Sequence, residues 1–587
     1  MRHPTRVTTT RPLFRRLTSA GLVLLLLAPA PTLAQGGPPI PSDGARVLPI
    51  LARNGMVSSQ DALATKVGVE LLKKGGNAVD AAVAVGFALA VTLPQAGNLG
   101  GGGFMLIHRA DPSATVTIDY RETAPAAARA EMFLDSRGEV ERGASTRTGR
   151  AVAVPGTVRG LAEAHRLYGS GRFTLAELVA PAEALAREGI PVESGLADSL
   201  PRSASLLGRW PSTRAVFFQG DAPLPRGSRL VQADLAGTLS AIARDGPDAF
   251  YRGPIAARIA AVVREAGGVM TEADLAAYRP VIREPVRGTY RGYEIVSMPP
   301  PSSGGAHLIE ILNILEGFDL AGMGAGSADA IHLLAEAMKP AYADRATWLG
   351  DPERTEVPVQ GLISKPYAER LRASIDMAKA RPAESIKAGD PRVIESDHTT
   401  HFSVIDAQGN AVSNTTTLNF SYGLGLVAEG TGVLLNNEMD DFSSKPGTPN
   451  AYGLLGGSAN AVAPGARPLS SMTPTLVFRD GRLLLATGSP GGSRIITTVL
   501  QVIVGLIDFR FNLAEAILAP RIHHQWRPDT LSVEEGVSPD TVAILRARGH
   551  RVSVGRTSGS ANSVMAVDGL LAGAADSRQR GTLADGY

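Results

Sequence analysis

Residues Glu395 to Asn419 read ESDHTTHFSVIDAQGNAVSNTTTLN. After Thr399 and Thr400, His401 to Ile405 alternate in polarity and are β-rich. Asp406-Ala407-Gln408-Gly409-Asn410 supplies turn chemistry, and Ala411 to Leu418 reads as the returning strand. The stretch is therefore a hairpin that starts on two threonines. Inside a chain, a threonine hydroxyl is a poor nucleophile because it is protonated at neutral pH and nothing nearby is an obvious base. At a chain's N-terminus it has its own α-amine, with an unperturbed pKa of about 7.7 to 8.0, as general base. Cleavage of the His398–Thr399 bond would create such a residue; the plainer alternative is that Thr399 and Thr400 merely open a strand.

Outward from the hairpin, composition narrows the classes. The 587 residues carry a net charge of +2 and no cysteine. The balance gives no reason to expect a nucleic-acid partner, and disulfides, thiolate metal sites and thiol nucleophiles are excluded. Arg11, Arg15 and Arg16, then apolar Leu17 to Ala30, then Thr32-Leu33-Ala34 read as an export signal over residues 1–34, cut before Gln35. Its apolar core is too short to span a membrane. An exported protein with no stable membrane span after signal removal is expected, periplasmic or secreted, by the ordinary or the twin-arginine route.

Met56 to Val91 reads as two helices. The first has Leu63, Val67 and Leu71 at four-residue spacing and stops at Lys73-Lys74-Gly75-Gly76; the second starts at Asn77 and is apolar on every face, so it should be buried. Gly97 to Phe104 lacks the lysine and the preceding strand of a phosphate loop and reads as tight packing. Pro254 to Ala266 and His307 to Leu315 read as helices, and Tyr290 to Met298 as strands around a turn. Pro299 to Gly305 is loop, with Ser302 and Ser303 but no G-x-S-x-G elbow. Beyond Thr399, short strands at Gly432 to Leu435, Thr473 to Phe478 and Arg482 to Thr487 precede helices starting near Ser493, Asn512 and Ser538. Alternating blocks without a βαβ repeat suggest layered sheets covered by helices. His523-His524 reads as packing, since no third ligand stands at metal spacing.

With Asp119-Tyr120-Arg121-Glu122, Asn436 to Phe442, Arg467 to Met472 and Thr487 to Arg494, the hairpin resembles the γ-glutamyltranspeptidases from about Gly55 to Tyr587. The resemblance implies an α+β fold, the four-layer αββα sandwich of N-terminal nucleophile hydrolases, formed jointly by two chains cut from one precursor. These would be a large subunit of residues 35–398 and a small subunit of residues 399–587, held as a heterodimer. It implies a γ-glutamyltransferase and glutathione hydrolase in which Thr399 takes the γ-glutamyl group as an ester and passes it to water or to an amino acid or peptide acceptor. No cofactor and no metal are implied.

The resemblance further implies that Thr417 orients the nucleophile and Asn419 lies near the substrate's α-amino group. Gly491 and Gly492, ahead of the helix at Ser493, would form the oxyanion hole; a simple strand-to-helix turn is the alternative. Arg121, with Ser470 and Ser471, would hold the α-carboxylate, and Asp441, helped by Glu438, the α-ammonium. Tyr452, in the segment Pro446 to Gly457, would close as a lid. His398 is assigned to the cleavage site and to no catalytic step. Two rival enzymes share the nucleophile: an acylase of glutaryl β-lactams, which has no use for an ammonium partner, and a poly-γ-glutamate depolymerase, against which the lid segment counts. A periplasmic binding protein that never matures is the non-enzymatic rival.

Overall fold

The computed structural model describes residues 47–388, 400–445, 448, 458–556 and 559–587. The expectations for the segment 1–34, for His398 and Thr399, and for Tyr452 lie outside the described residues. Two seven-stranded antiparallel sheets form the centre. One runs, edge to edge, Leu583–Gly586, Gly55–Ser59, Thr400–Asp406, Ala411–Thr417, Gly102–Arg109, Ala114–Asp119, Val281–Arg283. The other runs Ile50–Ala52, Leu570–Ala575, Asn562–Val567, Arg482–Thr487, Thr475–Arg479, Tyr293–Ser297, Val286–Tyr290. The first sheet's Met56, Leu106, Ile405 and Ala411 pack between the sheets with Val296, Leu476, Phe478, Ala486 and Val564 of the second. Helix Ala78–Thr92 packs on the outer face of the first sheet, and helices Gly304–Leu315 and Arg494–Ile507 share the core outside the second. The layers are helix, sheet, sheet, helix.

Local chemistry explains most elements. Asn77 and Asp80 form a reciprocal capping box at the start of helix Ala78–Thr92, and all of its residues are buried. Thr271 with Asp274 and Asn512 with Glu515 do the same for two further helices. Arg291 and Gly292, both at positive φ, make the turn between Val286–Tyr290 and Tyr293–Ser297. The glycine run packs as tightly as expected: a Cβ on Gly101 would lie 1.9 Å from the Thr417 carbonyl oxygen, and one on Gly103 2.4 Å from that of Thr415.

One expectation is corrected. Met56 to Ser59 belongs to a central strand, and the first helix spans Ala62–Lys73, capped by Asp61. Val57 stands between Val404 and Asp585 of its neighbouring strands. Pairing on both edges makes this stretch a strand, and Asp61, a helix-capping residue, is the local signal that separates it from the helix.

The hairpin strand Thr400–Asp406 turns Phe402 and Val404 to the helices and His401, Ser403 and Ile405 to the other sheet. His401 is fully buried, with Nδ1 2.9 Å from Thr415 Oγ1 and Nε2 3.0 Å from Ser403 Oγ. Burial lowers its pKa from 6.5 to about 3. The unfolded chain therefore takes up this proton below pH 6.5 and the folded one does not. This histidine's contribution to stability is complete above pH 6.5 and is lost as pH falls toward 3, by about tenfold in the folding equilibrium constant per pH unit. Urea unfolding of His401→Gln beside the wild type, from pH 7 to 4, should show the gap between them narrowing by that slope as pH falls.

Candidate active site

The register of the hairpin sets the site. Thr400 pairs with Thr416, and Thr417 with Gly102, so the threonine-bearing start of one strand and the end of the next lie at one end of the sandwich. Asp119 ends its strand at the same end, and from the second sheet Ser297 and Thr487 end their strands there and Thr475 begins its own. Thr475 N–H donates to Ser413 Oγ, and Ser413 Oγ–H to the Thr487 carbonyl, which ties the sheets together behind the site.

Thr417 Oγ1 accepts the Asn419 N–H at 2.7 Å. A hydroxyl that accepts through one lone pair can still donate its own proton to another acceptor. Asn419 takes φ of +69°, and its Nδ2 donates to the Asn437 carbonyl at 2.9 Å. That bond carries the chain to the turn Glu438–Asp441. Asn436 anchors the same turn by donating to the carbonyls of Gly100 and Ala153 at 2.7 and 2.8 Å.

Arg121 follows strand Ala114–Asp119 and is 1% exposed. Its Nε donates to the Pro468 carbonyl at 3.1 Å and Nη2 to the Leu469 carbonyl at 3.0 Å. Nη1 also bonds Glu438, and Nη2 bonds Asp441. Glu122, at 3.6 Å from Nη1, makes a third carboxyl around one guanidinium. Burial, the largest cause, pushes all three carboxyls above their ordinary range; Glu438 adds to the shifts of Glu122 and Asp441, and Arg121 opposes all three. Asp441 Oδ1, Glu438 Oε2 and both Glu122 oxygens are buried with no hydrogen-bond partner among the described residues. Arg121 and Asp441, assigned by the sequence reading to opposite charges of one substrate, are thus in contact.

Ser470 and Ser471 are held by the loop that carried the unassigned serines. Ser470 N–H donates to the Pro301 carbonyl at 2.8 Å, and the Ser470 carbonyl accepts the Ser303 N–H at 2.8 Å. Ser302 Oγ–H donates to the Met472 carbonyl at 2.6 Å. Ser302 and Ser303 are scaffold. Ser471 Oγ accepts from Arg345 Nη2. Sequence reasoning missed Arg345, which sits within helix Ala328–Trp348 without a motif, and Glu122, whose place beside Arg121 was a signal available to it.

Gly491 and Gly492 take φ of +127° and +65° and lead into helix Arg494–Ile507. Such angles favour glycine, and the amides lie at the positive end of the helix dipole. The carbonyls of Gly491 and Gly492 accept the N–H groups of Arg494 and Ile495, closing the first turn. The Tyr342 hydroxyl bonds the Ser493 carbonyl, which fixes the turn to helix Ala328–Trp348. Two residues before the double glycine's Pro490, Gly488 abuts the His401 ring, so this turn lies over the start of the hairpin. His523 and His524 are taken up by Thr497, Gln525 and Asp529, as packing requires. No group of three or more histidine or acidic side chains that could hold a metal ion is found among the described residues.

A family model described as Gamma-glutamyltranspeptidase matches residues 64–586. Over 541 residues the chain is 54% identical to a protein named glutathione hydrolase proenzyme from Escherichia coli (strain K12), covering 92% of this chain and 93% of that one. Among solved structures it matches a cephalosporin acylase from Bacillus halodurans with a TM-score of 0.82 and 28% identity, over 94% of this chain and 98% of that one. It also matches the gamma-glutamyltranspeptidase of Helicobacter pylori with a TM-score of 0.56 and 42% identity, over 59% of this chain and 97% of that one. The motifs gathered at the end of the sandwich, the family match over nearly the whole chain and a relative more than half identical give one conclusion: this chain belongs to the γ-glutamyltranspeptidase family.

Proposed function

We propose that the protein is an exported, self-cleaving γ-glutamyltransferase and glutathione hydrolase. Its precursor divides at His398–Thr399 into subunits of residues 35–398 and 399–587, which stay together. Thr399 Oγ then attacks the γ-carbonyl of glutathione or a related γ-glutamyl compound, and its own α-amine takes the hydroxyl proton. The amides of Gly491 and Gly492 receive the developing oxyanion, with Thr417 orienting the nucleophile. The C–N bond breaks, the leaving amine takes the proton, and a γ-glutamyl ester remains. Water or the amine of an amino acid or peptide then attacks the ester and restores the threonine. Tyr452 closes over the bound group. No helix among the described residues is long and apolar enough to cross a membrane.

The observation that carries this reading is the cluster at Arg121. A buried guanidinium beside carboxyl oxygens that lack hydrogen-bond partners among the described residues suits a zwitterion: the ammonium meets Asp441 and Glu438, and the α-carboxylate meets Arg121 with Ser470 and Ser471. The glutaryl side chain of a β-lactam acylase substrate has no ammonium to supply, although a solved neighbour is named a cephalosporin acylase. Intact mass spectrometry with a γ-glutamyl p-nitroanilide assay tests both parts. Two chains, the smaller starting at Thr399, with aniline release are expected. Two chains that turn over a glutaryl β-lactam and not the anilide would favour the acylase, and one inactive chain would favour the binding protein.

A further inference from the structure

We propose that Arg345 is a positioning residue that sets the Ser471 hydroxyl as a hydrogen-bond donor toward the substrate's α-carboxylate and supplies positive charge behind it. The inference rests on the reading of Ser471 as a carboxylate contact. Arg345 lies near the end of helix Ala328–Trp348, 1% exposed, and its Nη2 donates to Ser471 Oγ across 126 residues of sequence. A serine hydroxyl has one proton and two lone pairs; when a cation donates into a lone pair, the proton is turned to an acceptor elsewhere and is polarised. The neighbouring hydroxyl is set the same way by a neutral group, since Ser470 Oγ accepts the Met472 N–H at 3.1 Å. Two adjacent serine hydroxyls thus each accept a hydrogen bond, one of them from a cation.

The charge has a purpose that Arg121 does not serve alone. The Arg121 guanidinium donates to two backbone carbonyls and faces Glu438, Asp441 and Glu122. An arriving carboxylate meets a neighbourhood that is already rich in acid, and a second cation offsets it. Arg345 is itself embedded in a buried polar cluster on the adjoining helices. His307 Nδ1 lies 2.7 Å from Glu310 Oε2, and the Tyr367 hydroxyl donates to Asp344 Oδ2. Burial first, and Arg345 second, keep the His307 ring well below its ordinary pKa, so it adds no competing charge.

The test uses the processed full-length enzyme with Arg345→Gln, Arg345→Lys, Ser471→Ala and the double variant Arg345→Gln with Ser471→Ala. Dissociation constants are measured by calorimetry for L-glutamate and for its α-amide, which keeps the ammonium and the γ-carboxylate but lacks the α-carboxylate. Arg345→Gln should weaken glutamate about thirtyfold, the size of a charge-assisted hydrogen bond, and the α-amide less than threefold. With γ-glutamyl p-nitroanilide, KM should rise while kcat stays within about threefold, and Arg345→Lys should recover part of the loss. In the Ser471→Ala background, Arg345→Gln should add less than twofold. Equal weakening of both ligands, or additive losses in the double variant, would overturn the proposal. So would an Arg345→Gln chain that fails to fold or mature when Ser471→Ala does both, which would make Arg345 interior scaffold. If Ser471→Ala itself leaves discrimination between glutamate and α-amide intact, the reading of Ser471 has failed, and the inference with it.

Discussion

Thr399→Ala is expected to give one uncleaved chain, with γ-glutamyl anilide turnover at least about ten-thousandfold below the wild type. A loss of that size matches removal of a nucleophile from a unit whose members act together. It corresponds to about 5 kcal/mol of transition-state stabilisation. On the proposed function two steps depend on one hydroxyl: the attack on the preceding carbonyl that matures the precursor, and the attack on substrate once the α-amine is free. Thr399→Ser keeps a hydroxyl and should therefore cleave and turn over, whereas Thr400→Ala leaves the nucleophile in place and should retain both activities in measurable degree. Intact mass spectrometry separates the cases. A Thr399→Ala chain that still divides between residues 398 and 399 would remove Thr399 from the maturation chemistry.

The second large effect is expected at the Arg121 cluster. Arg121→Gln leaves Glu122, Glu438 and Asp441 buried together without their common counter-charge. Breaking a buried pair in this way costs about 3–5 kcal/mol, and the urea midpoint should fall accordingly. Asp441→Asn keeps the shape and removes the carboxyl that, on the proposed function, pairs with the substrate's ammonium. It should weaken γ-glutamyl donors by about a hundredfold, the cost of losing a charged hydrogen bond to an ammonium in a dry site. Its effect on stability has the opposite sign. Burial holds the Asp441 carboxyl well above 3.8, so the folded state retains a proton that the unfolded state gives up, and the wild type loses stability as pH rises above that value. Asp441→Asn has no such penalty and should gain on the wild type over the same range. Unchanged donor affinity in Asp441→Asn would sink the ammonium role.

Much of the molecule is written in short-range chemistry. Asn77 with Asp80, Thr271 with Asp274 and Asn512 with Glu515 announce helix starts because a cap is completed within three residues. The hairpin from Thr400 to Thr417 is equally readable, since alternation and a turn need no distant neighbour. The motifs at Arg121, Asp441, Ser470 and Gly491 could be read as parts of one site only through their resemblance to a family.

Other features depend on contacts between residues far apart in the chain. Met56 to Ser59 becomes a strand because Thr400–Asp406 and Leu583–Gly586 flank it, and nothing within the stretch says so. The bond between Arg121 and Asp441 spans 320 residues, and that between Arg345 and Ser471 spans 126. Residue types and local periods are properties of a few neighbouring positions, so they survive in a one-dimensional reading. Which charges share a dry pocket, and how burial then moves their protons, depends on distance and dielectric, and both exist only after the two sheets and their helices have closed around the site.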